Sequence, residues 1–162
     1  MIEKYKTLPF LPVSLCVSLL ISLALPAKAQ SGEDLHVEFE VFNWEDVIVR
    51  LDNSFIELAN SPKSNWYIIV YGGQNRRRGE AEAWMTCVED HVFNRRSFVF
   101  RGYGLSRDQI KVVHGGYREN VTLELWFVSR GGSAPSAKPT IEPQDIKYSG
   151  RMNKKWRSLC KS

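Results

Sequence analysis

The sequence predicts an α+β fold: a two-layer sandwich, with helices packed on one face of a small mixed β-sheet, in the order β-α-β-α-β-β. Three patterns lead there. Residues 35–41 alternate apolar and polar side chains, the period of a half-buried strand. Ile48, Leu51, Phe55 and Leu58 recur at spacings of three and four, one apolar stripe of a helix. Trp66 to Tyr71 is an unbroken apolar, β-favouring run, suited to a central strand buried on both faces.

Each element has its own punctuation. Leu35 to Val41 is the first strand, and Asn43 is placed to cap the first helix. Glu45 and Asp46 fall in its first turn, where the helix dipole favours negative charge. Ser61-Pro62-Lys63-Ser64-Asn65 ends that helix after Asn60. Gly72-Gly73 stops the Trp66–Tyr71 strand, and residues 74–79 form a polar loop carrying Arg76, Arg77 and Arg78. Residues 79–94 read as a second helix with Ala81, Ala83, Trp84, Cys87, Val88 and His91 on its buried side. An irregular connection follows, with Ser97 to Phe100 as a candidate extended piece. Gln109 to Val113 is the third strand, and Gly115-Gly116 with Glu119-Asn120 predicts a hairpin-like turn into a fourth, Val121 to Val128.

The chain ends are of a different character. Lys4 and Lys6, the apolar run Phe10–Leu25 and Ala27-Lys28-Ala29 have the layout of a secretory signal peptide. Residues 1–29 are therefore expected to be cleaved before Gln30, leaving no stable membrane span and a periplasmic or secreted product. Residues 30–130 are assigned to the domain, 131–144 to a Gly/Ser/Pro surface linker and 145–162 to a basic tail. Cleavage removes Lys4, Lys6, Lys28 and Glu3, leaving 19 basic against 17 acidic side chains. A net charge of +2 in an exported chain argues against nucleic acid as a partner. The charge is unevenly placed, acidic over 33–57 and basic over 147–161.

Two cysteines, Cys87 and Cys160, remain after cleavage, and in an oxidising compartment they are expected to form one structural disulfide. His36, His91 and His114 are too scattered to complete a zinc set with them, and no cofactor is expected. No catalytic constellation emerges, so the protein is read as non-enzymatic. Ser64, Ser97 and Ser106 sit in no nucleophile elbow, and Glu80 and Glu82 lie on different helical faces. Gly72-Gly73 through Gly79 lacks the Gly-Lys-Ser/Thr ending of a phosphate-binding loop. The arginine loop is the best binding candidate. Arg76, Arg77 and Arg78 precede a helix start, where guanidinium forks and free backbone N–H groups can converge on an anion. Arg118 is expected to reach the same edge, because its turn and the arginine loop follow neighbouring strands.

Arg50-Leu51-Asp52-Asn53, Tyr67 to Gly73, Arg77 to Ala81, Gly115 to Glu119 and Glu124-Leu125-Trp126 together resemble a group of small exported bacterial proteins. More distantly, residues 44–128 resemble the OmpA C-terminal-like domain, a peptidoglycan-associating module. That resemblance implies a cell-envelope role, with peptidoglycan or an envelope protein as partner. It also implies an aspartate in the loop after the central strand and an arginine in the following helix, which together grip diaminopimelate. Here Asn75 falls near the aspartate's place and Cys87 near the arginine's. An amide and a thiol do not reproduce that ionic grip. Cys87 in the arginine's place fits a disulfide to the basic tail.

Overall fold

The computed structural model describes residues 33–95, 105–152 and Cys160. Strand β1 (Glu33–Glu40) leads into helix α1 (Trp44–Asn60). Asn43 caps that helix as expected: its backbone is extended, and its side-chain oxygen accepts the Asp46 N–H at 2.8 Å. Asp46 also pairs with Arg50 one turn on, at 3.0 Å. The buried stripe is Trp44, Val47, Leu51, Ser54, Phe55 and Leu58, with Ile48 at its half-buried margin.

Strand β2 (Ser64–Gly73) is the centre of the sheet and is buried almost throughout. Helix α2 (Glu80–Glu89) follows, entered through Gly79, whose φ of 87° is a left-handed conformation that glycine adopts without steric cost. The sequence pattern extended this helix to residue 94. Instead the α-helix ends at Glu89, and a π-helical turn, Asp90–Arg95, continues it. The wider turn still buries His91 and Val92. The extended piece expected at Ser97–Phe100 lies outside the described residues.

Strands β3 (Ile110–Arg118) and β4 (Thr122–Ser129) complete a mixed sheet of order β1-β4-β2-β3. Strand β2 pairs in parallel with β3 and antiparallel with β4, and β4 pairs antiparallel with β1. The expected hairpin between β3 and β4 does not exist, because β2 lies between them. Their short connection, Glu119–Val121, crosses the end of β2, where Gln74 N–H donates to the Glu119 carbonyl. Gly115 and Gly116 belong to β3 and not to a turn. Gly115 is needed for close approach: a Cβ there would come within 2.5 Å of the Tyr71 ring.

Both helices contribute to one core on one face of the sheet, so the chain is an α+β two-layer fold. Trp66 and Ile68 of β2 join Phe39, Leu123 and Leu125 against Leu51, Phe55 and Val88. The Trp66 ring meets Phe55 edge-on at 5.5 Å and stacks with Phe127 at 6.3 Å. Cys87 of α2 is bonded to Cys160, with Cα atoms 5.6 Å apart, which ties the end of the basic tail to the second helix. No helix among the described residues is long and apolar enough to cross a membrane.

Candidate functional site

The loop Gln74–Arg78 lies beside the tail. Lys147 N–H donates to the Gln74 carbonyl and Ser149 N–H to that of Arg76, both at 3.0 Å. Arg78 donates to the Gly150 carbonyl at 2.9 Å and accepts from Met152 at 3.0 Å, making a parallel bridge between Arg78 and Arg151. The two segments therefore form a short parallel ribbon, and the Gln74 side chain adds a bond to the Asp145 carbonyl. The segment read as a linker is exposed along most of its length and is tied to the sheet. Lys138 N–H donates to the Tyr71 hydroxyl, and Thr140 and Ile141 both donate to the Tyr117 carbonyl.

A cleft of about 340 Å³ opens along this ribbon, lined by Asn75, Arg76, Arg77, Glu80, Ser149 and Met152. Its charge is mixed. Glu80 stands 3.8 Å from Arg76 and accepts the Arg77 N–H at 3.2 Å. The loop N–H groups ahead of α2 are therefore engaged, because Glu80 accepts from Arg77 and the Gly150 carbonyl takes Arg78 N–H. What the cleft offers a ligand is side chains: the Arg76 and Arg77 guanidinium groups, the Asn75 amide and the Glu80 carboxylate.

No family model, curated protein or solved structure matches this chain. The arrangement of its own side chains is what speaks to function.

Arg118 does not join the arginine loop, although its backbone pairs with Gly73. Its side chain turns onto the helix-free face of the sheet. There Glu38 and Glu124 stand directly opposite each other on β1 and β4, and two like charges in that register repel. One Arg118 arm bonds Glu38 at 2.9 Å and the other bonds Glu124, while the guanidinium lies 3.7 Å from the Tyr71 ring centre. Glu124 is buried, and it also accepts from the Tyr71 hydroxyl and the Trp126 indole N–H, each at 3.0 Å. Burial alone would lower the Arg118 pKa, but the hydrogen bond and charge of Glu124 carry it above the ordinary value. Burial raises the Tyr71 phenol, partly offset by the Lys138 N–H, and Glu124 raises it further. The sequence reading missed Tyr71 and Glu124. The available signal was parity: Thr122, Glu124 and Trp126 share one strand face, opposite Leu123 and Leu125 of the core.

His91 is buried between α1 and the π-helical turn, with Nε2 2.8 Å from Asp52 and its ring edge-on to Trp44 at 5.9 Å. The Ser106 hydroxyl bonds Asp108 in a separate capping turn. Among the described residues no group of three metal-ligating side chains converges.

Proposed function

We propose that the chain is an exported, non-enzymatic envelope protein whose domain binds peptidoglycan through the ribbon cleft. The observation that carries this reading is the pairing of Arg76 and Arg77 with Glu80 in one solvent-facing cleft. A diaminopimelate end carries a carboxylate and an ammonium on one carbon. A guanidinium fork suits the first and Glu80 the second. The OmpA-like resemblance places a ligand-gripping arginine at Cys87, but that sulfur is bonded to Cys160. The loop arginines, about two turns away at the helix entrance, supply positive charge in its stead. The disulfide supports a compartment outside the cytoplasm.

The test is co-sedimentation with purified peptidoglycan sacculi. Wild-type mature protein should pellet, and Arg76→Ala/Arg77→Ala should stay in solution with an unchanged melting temperature, since exposed arginines cost little to remove. Pelleting that survives the double change refutes the cleft as the binding site. A second reading, a protein-binding module, is favoured by the exposed stripe Phe42, Val49 and Ile56 beside and along α1. It predicts that the wild-type protein does not pellet.

A further inference from the structure

We propose that Arg78 and Arg151 form a separate anion site, built for the phosphoryl group of an envelope molecule. It does not rest on the peptidoglycan reading, because its cleft shares no residue with the Arg76–Arg77 cleft. That second cleft, of about 310 Å³, is lined by Arg78, Tyr148, Gly150 and Arg151.

The argument starts from the backbone. Arg78 and Arg151 are bridge partners in the parallel ribbon, so their side chains leave the backbone side by side. Two adjacent like charges repel, and a protein commonly relieves this with an opposite charge, as Arg118 does for Glu38 and Glu124. Arg50, Arg76 and Arg95 likewise have acidic partners. Among the described residues no carboxylate forms an ion pair with Arg78 or Arg151. The ribbon thus holds two arginines side by side with no ion pair to either among the described residues.

The surroundings favour a ligand as the compensating group. The Arg78 guanidinium packs on the Tyr148 ring, 5.0 Å from its centre, which restricts the arginine and leaves its N–H edges available. The Tyr148 hydroxyl in turn meets the Tyr117 hydroxyl at 3.4 Å, anchoring that ring to β3. Gly150, which lines the cleft, has a φ of 141°, and a Cβ there would meet nothing within 4 Å beyond its chain neighbours. Guanidinium forks bind phosphate oxygens through paired charge-assisted bonds, and two forks suit a phosphoryl dianion better than they suit a single carboxylate. Phosphoryl groups reach such a site as free phosphate, as a phosphorylated sugar or as a lipid headgroup.

The experiment is titration of the mature protein with inorganic phosphate and with glucose 1-phosphate. Alongside runs co-flotation with phosphatidylcholine vesicles that contain or lack phosphatidylglycerol. At least one phosphate probe should bind, weaken as salt is added, and lose about tenfold or more in affinity in Arg78→Gln/Arg151→Gln. The probe bound most tightly identifies the source. Arg76→Ala/Arg77→Ala should bind that probe as the wild type does, and Arg78→Gln/Arg151→Gln should still pellet with any sacculi the wild type pellets with. Arg151→Gln alone, which leaves the Arg78–Tyr148 contact intact, covers the case of a double variant that fails to fold. Wild type that binds none of the probes, or binding that ignores both arginines, overturns the proposal.

Discussion

Replacing Glu124 tests the helix-free face of the sheet most sharply. In Glu124→Leu the Tyr71 hydroxyl and the Trp126 indole lose their shared acceptor, and Arg118 keeps Glu38 as its acidic partner, with the Lys138 carbonyl. Removing one partner of a buried ion pair costs about 3–5 kcal/mol. The Glu38 side chain is 47 % exposed and can still hold one Arg118 arm, so the loss should fall at the lower end, about 3 kcal/mol. Glu124→Gln keeps an acceptor oxygen but not the charge, and about 1.5 kcal/mol is expected. Against a total of about 5–15 kcal/mol for a domain, both are large enough to read from urea denaturation monitored by tryptophan fluorescence. Adding Arg118→Met to Glu124→Leu should recover part of the loss, since the cation that lost its buried partner goes with it. Leucine and glutamine variants both within about 0.5 kcal/mol of wild type would refute the argument that this carboxylate is a desolvated structural anion.

Two further outcomes follow from the way the tail is held, besides the sacculus and phosphate experiments above. Cys87→Ala/Cys160→Ala opens a cross-link across 73 residues, and chain entropy puts the loss at about 4 kcal/mol, measurable as a lower urea midpoint than oxidised wild type. An unchanged midpoint would contradict it. The hydrogen-bonded Tyr148 hydroxyl, with burial, holds the Tyr117 phenol up at about 12. Tyr148→Phe should bring that phenol's ultraviolet titration down toward the ordinary 10.0, and no movement would mean that Tyr148 does not sit on Tyr117 in solution.

Local signals made much of the fold readable in advance. Asn43 with Glu45 and Asp46 marked the start of α1, and the Trp66–Tyr71 run marked the central strand, because capping and burial both leave side-chain patterns. Gly115-Gly116 misled. A glycine pair is a turn signal, but here Gly116 takes its φ of 92° inside β3, and Gly115 leaves room for the Tyr71 ring, a requirement set by another strand. The sheet order was equally hidden, since a short connection normally joins neighbouring strands, and here Glu119–Val121 steps across β2. Arg118 was expected at the edge of the arginine loop, and its pairing with Glu124 was hidden because it depends on the sheet order. The ribbon was invisible for a different reason. Its bonds run from backbone to backbone between residues 74–78 and 147–152, and such bonds leave no mark on side-chain identity. Arg76, Arg77 and Arg78 were therefore found as a group in the sequence, while the tail that divides them between two clefts was not.

The measurement that bears most directly on the ribbon as a binding site is amide chemical-shift mapping of ¹⁵N-labelled mature protein, titrated with a soluble diaminopimelate-containing muropeptide. Saturable shifts should cluster on Asn75, Arg76, Arg77, Glu80, Ser149 and Met152, which line the mixed-charge cleft. Shifts confined to the Phe42, Val49 and Ile56 stripe, or no saturable shifts at all, would contradict the account.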